Sequence, residues 1–370
     1  MENVFDFADE LGPVKIIHIH EPSIGLKAIL VVDNVAMGPS IGGLRMAEDV
    51  SLEECFRLAR AMSMKNAAAG LRHGGGKSVL FGDPKMPKDQ KEQLIRALAC
   101  ILANTEEYIF GPDMGTDEEC MAWVHDEINR SVGLPREIGG IPLDELGATG
   151  WGLSHATEIA LDYCDLELVG ARVAVQGFGS VGMHAARFLA EKGTVLIAAA
   201  DSRGTVFDEQ GLDIAALIKC KQDGNSVIDF TSGKKLERED IINIECDIWI
   251  PAARPDVIHK NNAEKLNTRL IVQGANIPVT REAEDILYRK GILYIPDFIA
   301  NAGGVICAAM EYQKASEKVA FDTIAEKIRF NTRAVLSTAK RQQITPRLAA
   351  EQLAMERIKK AMSTRRWSVI

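Results

Sequence analysis

Two lysines, Lys65 and Lys77, bracket the segment Met64-Lys65-Asn66-Ala-Ala-Ala-Gly70-Leu-Arg-His73-Gly74-Gly75-Gly76-Lys77. Alanine and glycine let backbone and a small ligand come close there. A lysine held among apolar neighbours, near a second cation, loses affinity for its proton and can act as a base. Taken singly, a lysine is more often a solvated surface residue; the glycine run is what weighs toward chemistry, and it reads as a turn into a short buried strand at Ser78–Phe81. Further on, Gly111-Pro112-Asp113-Met114-Gly115 closes the apolar stretch Tyr108-Ile109-Phe110. That sets a carboxylate at a strand end before a helix, where it could transfer a proton or merely cap a turn. His18 and His20 share a strand face but lack the further ligands a metal needs. No metal site is expected.

Gly177-Phe178-Gly179-Ser180-Val181-Gly182 fits G-x-G-x-x-G, follows the apolar run Val173-Ala174-Val175 and precedes a helical pattern. That context suits a dinucleotide pyrophosphate. The first glycine permits the turn, the second lets backbone approach the phosphates, the third lets helix pack on strand, and the helix N-terminus supplies N–H donors. Asp201, followed by Ser202, ends the next strand, where an acid would meet the adenosine ribose. NAD is therefore the expected cofactor. Arg203, which could hold a 2′-phosphate or lie on a solvated loop, keeps NADP open.

The elements that must position these groups follow from periodicity. Ile16–His20 and Leu26–Val32 read as strands, and Ser51 with Glu54 opens a helix running to about Gly70. Thr116 with Glu119 suggests another capping box. The Gly-rich stretch 138–150 reads as a domain boundary. Beyond it, strands at 172–176, 194–200, 247–250 and 270–273 alternate with helices, which predicts a parallel, doubly wound sheet. Long charged helices are expected near 318–340 and 347–362. The fold class is thus α/β: an N-terminal α/β substrate domain over 1–145, a Rossmann-type cofactor domain over 146–329, and C-terminal helices from about 330 to 370 packing back on the first domain.

Composition narrows the partners. A chain of 370 residues with 46% hydrophobic and 26% charged residues has ordinary globular usage, long enough for two cores. A net charge of −9 argues against nucleic acid. No segment approaches a membrane-spanning length, and seven scattered cysteines without a Cys-x-x-Cys pair read as free thiols. A cytoplasmic location without membrane partners is expected.

Several motifs in a fixed order make the chain resemble the glutamate/leucine/phenylalanine/valine dehydrogenase family over nearly its whole length. They are Gly38-Pro-Ser-Ile41-Gly42-Gly43-Leu-Arg-Met46, the segment from Lys65 to Lys77, Gly-Pro-Asp113, Gly-Ala-Thr149-Gly, the dinucleotide fingerprint, Gln-Gly-Ala-Asn276 and Asn301-Ala-Gly-Gly304. The resemblance implies reversible oxidative deamination of an L-amino acid to its 2-oxo acid and ammonia by a homo-oligomer. It implies that Lys65 binds the substrate carboxylate, that Lys77 is the catalytic lysine and that Asp113 is the proton-transferring acid. Gly42 and Gly43 would line the substrate site. Thr149, Asn276 and Asn301 would lie beside the nicotinamide or substrate, and Ala252 would help bind the cofactor.

Departures within the motifs bear on the substrate. Glutamate enzymes of the family carry a lysine before the paired glycines and a serine four residues beyond Asn-Ala-Gly-Gly, whereas this chain has Ile41 and Ala308. A distal carboxylate buried without those partners would cost roughly several kcal/mol. With Gly111 and Val305, these residues imply an apolar pocket with room for a leucine, valine or phenylalanine side chain. The motifs after residue 140, including Pro-Asp297-Phe-Ile-Ala-Asn301, are closer to the glutamate branch. Glutamate therefore stands as the alternative substrate, and a catalytically silent NAD-binding regulator as the alternative of another class.

Overall fold

The computed structural model of the chain describes residues 4–364. By internal contacts it forms two compact units, one of residues 4–142, 305–320 and 351–364, the other of 143–304 and 321–350. In the last third this division differs from the expected one: 305–320 groups with the first unit and 321–350 with the second.

The first unit is built on β1 (Lys15–Glu21), β2 (Leu26–Asn34), β3 (Ser40–Ala47), β4 (Gly74–Phe81) and β5 (Tyr108–Pro112), with α1 (Leu52–Ala68), α2 (Lys88–Ile101) and α3 (Glu118–Ile128) between and after them. The strand order is β1-β2-β4-β3-β5. Strands β1, β2 and β4 pair antiparallel, while β4, β3 and β5 pair parallel. Alternation divides the side chains between two faces. Leu30, Val32, Leu44, Met46, Tyr108 and Phe110 pack with Leu94, Ile95 and Leu98 of α2 and Met121 and Val124 of α3. On the other face Ile29, Val31 and Val79 lie with Cys55 and Ala59 of α1.

Two local expectations need correction here. Gly74–Gly76 are not a turn but the buried first half of β4. Each glycine is there because a neighbour occupies the place of its side chain. A Cβ on Gly74 would lie 1.7 Å from the Asn34 carbonyl, and one on Gly75 would lie 2.0 Å from the Ser63 amide of α1. The cap of α3 is Asp117, which accepts from the Cys120 amide. Thr116 instead accepts from the Asp113 amide and donates to the Leu44 carbonyl. The N-terminus of α1 is as expected, with Ser51 accepting from the Glu54 amide.

The second unit runs α4 (Leu143–Leu146), α5 (Ala148–Leu161), β6 (Arg172–Gln176), α6 (Ser180–Ala190), β7 (Val195–Ala200), β8 (Thr205–Phe207), α7 (Ile214–Gln222), β9 (Lys234–Leu236), β10 (Ile248–Pro251), β11 (Leu270–Val272), α8 (Arg281–Arg289), β12 (Leu293–Ile295) and α9 (Asp297–Ala300). Three further helices, α10 (Gly303–Tyr312), α11 (Glu317–Gln342) and α12 (Pro346–Thr364), each carry the chain from one unit to the other. The seven-stranded sheet has the order β12-β11-β10-β6-β7-β8-β9. It is parallel from β12 to β7, but β8 and β9 add antiparallel. The strands expected from sequence, β6, β7, β10 and β11, pair parallel as expected, and β8, which the sequence reading lacked, adds antiparallel because a tight turn, closed by the Asp201 amide on the Gly204 carbonyl, joins it to β7. A parallel pair needs a long crossover. Within the stretch 138–150 read as a domain boundary, Gly147 and Gly150 open α5, where a Cβ on Gly150 would lie 2.6 Å from the Ala185 amide of α6.

Candidate active site

On the first unit, strand register gathers the substrate candidates. Ile41, Gly43 and Arg45 alternate onto one face of β3; pairing with β5 puts Ile109 and Gly111 beside the first two, and Asp113, just past β5, accepts from Arg45. Lys77 joins this face from β4. A Cβ on Gly43 would lie 2.8 Å from the Asp113 Cβ and 3.1 Å from the Lys77 Nζ, so the glycine leaves open the space those two groups border. Gly111 widens the gap, with the Val132 side chain 3.4 Å from where its own Cβ would be. Ile41 and Ile109 flank the two glycines on one side, and Arg45 and Asp113 on the other. Gly42 is held by its carbonyl, which accepts from the Tyr108 hydroxyl at 2.7 Å. A Cβ on Gly42 would strike the Gly76 carbonyl.

The Lys77 ammonium donates to Asp113 Oδ2 at 2.5 Å, and Arg45 Nε donates to the same oxygen at 3.0 Å while its other arm reaches Glu54. Burial lowers the proton affinity of Lys77, and Arg45 adds to this against the opposing pull of Asp113. Asp113 is half-buried, which would raise its pKa, yet the Lys77 and Arg45 cations outweigh burial and keep it below its ordinary value. One oxygen thus faces two cations, an arrangement suited to a lysine that gives up its proton beside a carboxylate that can carry one. Lys65, in the last turn of α1, and Val305 and Ala308, on α10, belong to the same unit and are all partly exposed. His73 is buried, its Nδ1 3.0 Å from the Pro39 carbonyl and its ring edge-on to Tyr312. Burial lowers its pKa, which marks a neutral packing residue.

The second unit holds the dinucleotide candidates. Gly177 has φ +100°, and a Cβ there would lie 2.5 Å from the Ala253 amide. Gly179, just before α6, faces open space. A Cβ on Gly182 would lie 2.0 Å from the Gly177 carbonyl. These are the turn, the open approach and the close packing that a pyrophosphate site needs. Phe178 is fully buried, while Ser180 and Val181 form the first turn of α6. A cleft of about 900 Å³ is lined by Gly177, Phe178, Gly179, Asp201, Ser202 and Ala252, among others. Asp201 accepts from Lys221 Nζ at 2.6 Å, Ser226 Oγ at 2.7 Å, the Arg203 amide at 2.9 Å and the Val227 amide at 3.0 Å. Although burial opposes it, these donors bring its pKa to about 2. The Arg203 guanidinium turns to Asp229, 2.7 Å away.

Asn301 gathers the Gln273–Asn276 loop, donating to the Gly274 and Ala275 carbonyls and to Asn276 Oδ1. Its own Oδ1 is buried with no hydrogen-bond partner among the described residues. A buried acceptor left unmade is costly, and a carboxamide N–H such as nicotinamide carries would satisfy it. Thr149 lies in the first turn of α5, its Oγ1 3.4 Å from where a Gly304 Cβ would be. The residues present therefore fit a nicotinamide dinucleotide.

Several neighbours escaped the sequence reading. Arg45 was legible in principle, since it falls two residues after Gly43 and so on the same face. Lys221, Ser226 and Arg347 carry no local signal, and the Pro-Asp297-Phe-Ile-Ala-Asn301 motif gives no sign of what Asp297 holds, because these residues reach their partners only through tertiary folding.

Residues 139–366 match the family described as Glutamate/Leucine/Phenylalanine/Valine dehydrogenase, and residues 14–130 match the Glu/Leu/Phe/Val dehydrogenase dimerisation domain. The chain is 35% identical over 358 residues to a glutamate dehydrogenase of Aeropyrum pernix, covering 90% of this chain and 85% of the relative. It is 35% identical to an NADP-specific glutamate dehydrogenase of Saccharolobus shibatae, covering 90% and 83%. Among solved structures it is similar to the hetero-hexameric glutamate dehydrogenase of Thermus thermophilus in a leucine-bound form, with a TM-score of 0.83, 28% identity and coverage of 96% and 91%. It is also similar to L-tryptophan dehydrogenase of Nostoc punctiforme, with a TM-score of 0.78, 25% identity and coverage of 97% and 100%.

Proposed function

The chain belongs to the glutamate/leucine/phenylalanine/valine dehydrogenase family, and from that premise we propose that it converts an L-amino acid and water reversibly to a 2-oxo acid and ammonia. The observation that carries the reaction is the Lys77–Asp113–Arg45 cluster beside the Gly43 gap. A nicotinamide dinucleotide, when bound, would supply the acceptor for the hydride of the substrate Cα. Lys65 holds the substrate carboxylate. Lys77 takes a proton from the water that adds to the iminium carbon, and Asp113 passes a proton to the departing amine. Asn301 and Asn276 would orient the carboxamide end of the cofactor, the α6 N-terminus would hold its phosphates, and Asp201 would accept from its ribose. The charge on Asp201 disfavours a 2′-phosphate, which supports NAD, although one relative is NADP-specific. The dimerisation-domain match supports a homo-oligomer.

Two readings of the substrate side chain rest on different observations. Likeness supports glutamate better than the apolar side chain expected from sequence, because the relatives at 35% identity are glutamate dehydrogenases. The pocket residues support a large apolar side chain: Ile41 and Ile109 flank the glycine gap, and neither Ile41 nor Ala308 has a side-chain donor for a distal carboxylate. We take the pocket as the guide, because specificity is set by contacts. A panel of L-amino acids assayed with NAD and with NADP, read by absorbance of the reduced nicotinamide, is expected to give kcat/KM highest for leucine, phenylalanine or another large apolar substrate with NAD. Fastest turnover of glutamate would replace this reading with the glutamate one.

A further inference from the structure

Ile277 has φ +43°, in the left-handed region, and its side chain is 55% exposed. A β-branched residue rarely adopts that conformation, and Pro278 behind it pushes it further toward an extended one. The neighbouring hydrogen bonds account for the backbone. The Ile277 amide donates to Asp297 Oδ2 at 2.8 Å, and its carbonyl accepts from the Asp256 amide at 3.0 Å. Asp256 lines the dinucleotide cleft, and Asn276 precedes Ile277, so one strained residue joins the loop held by Asn301 to the wall of the cleft.

Asp297 is itself held. Arg347 donates to Asp297 Oδ1 at 3.0 Å and to Gln273 Oε1 at 3.1 Å, and its Nε reaches both oxygens of Glu284 at 2.7 and 2.6 Å. Gln273 in turn accepts from the Asp297 amide and donates to Glu284. All four residues are at most 6% exposed. A guanidinium bonded through Nε and one terminal nitrogen to three buried acceptors is narrowly confined, and it confines Asp297 in turn.

We infer that Asp297, fixed by Arg347, Gln273 and Glu284, is a positioning residue that holds the Asn276–Ile277 turn in a conformation isoleucine would otherwise leave, and so shapes the dinucleotide site. The inference rests on the cofactor reading given above. Strain of the usual size at such a residue corresponds to roughly 5- to 150-fold in an equilibrium. Release of the clamp should therefore reach the cleft as a loss of affinity.

The test is rescue by glycine, which adopts the left-handed turn without help. Dinucleotide dissociation constants are measured by fluorescence of bound NADH for the wild type, Asp297→Asn, Ile277→Gly and the double variant. Asp297→Asn is expected to weaken binding about tenfold and Ile277→Gly to change it less than about twofold. The double variant is expected to return to within about threefold of wild type. A double variant as weak as Asp297→Asn, or Asp297→Asn binding like wild type, overturns the inference. Thermal unfolding of Ile277→Asn, a residue that tolerates this conformation, provides an arm that needs neither ligand nor folding of Asp297→Asn. A raised midpoint is expected, and a lowered or unchanged one overturns the strain. If wild-type protein binds neither NADH nor NADPH, the cofactor reading fails, and this unfolding arm still decides the strain.

Discussion

At the scale of single residues, the chemistry turns on how Lys77 is surrounded. Burial and Arg45 pull its proton affinity below the lysine value of 10.5, while Asp113 pulls the other way. In the deamination direction kcat/KM should rise with pH along a limb whose apparent pKa lies below 10.5, because neutral Lys77 is the proposed base. Asp113→Asn removes the charge that favours the protonated lysine, so its residual activity should show the limb at still lower pH. Lys77→Ala should lose the limb together with roughly 10²- to 10⁴-fold in turnover while keeping dinucleotide binding. A limb at the same pH in wild type and Asp113→Asn would remove the proposed coupling. Lys77 and Asp113 could be picked out from their motifs, but their 2.5 Å contact could not. It depends on β3 lying between β4 and β5, an order that local sequence does not encode.

At the scale of elements, glycines that look alike in sequence do opposite things. Gly75 touches α1 backbone to backbone, with a Cβ 2.0 Å from the Ser63 amide and 2.5 Å from its Cα. Neither atom can swing away, so Gly75→Ala must push α1 from β4. Overpacking of this kind costs about 1–3 kcal/mol or more, which should lower the thermal midpoint by several degrees. Gly179 meets nothing within 4 Å. Gly179→Ala should leave the midpoint within about a degree of wild type, yet weaken dinucleotide binding by intruding where the phosphates approach. Calorimetry alongside NADH titration separates the two, and equal loss of stability in both variants would contradict the assignment. The sequence pattern located the fingerprint glycines correctly because strand, turn and helix are contiguous there. It misread Gly74–Gly76 as a turn because the atoms that demand glycine come from Asn34, Ser63 and Tyr108, distant in the chain.

At the scale of the whole molecule, stability should depend on pH through a residue with no place in the chemistry. His155 of α5 is buried against Trp151, 4.3 Å between ring centroids, and bonds Glu158 at 2.7 Å. Burial, with Lys192 and Arg329 adding to it and Glu158 opposing, brings its pKa from 6.5 to about 4. Between those values the unfolded chain binds the proton that the folded chain refuses, so stability falls as pH drops from 6.5 toward 4. His155→Gln should flatten the thermal midpoint between pH 7 and pH 5 relative to wild type. An unchanged slope would assign the acid sensitivity elsewhere.

By itself the sequence determined the family, the α/β class and the residue types available for catalysis, because ordered motifs and helical or strand periodicity are properties of short contiguous stretches. Tertiary structure alone decided the antiparallel edge of β8 and β9, the grouping of 321–350 with the second unit, and the partners of Asp113, Asp201 and Asp297. Apart from the tight turn between β7 and β8, these bring together groups tens or hundreds of residues apart. The reason is that a hydrogen bond or an ion pair requires its atoms within about 3 Å, a condition that packing of the whole unit imposes.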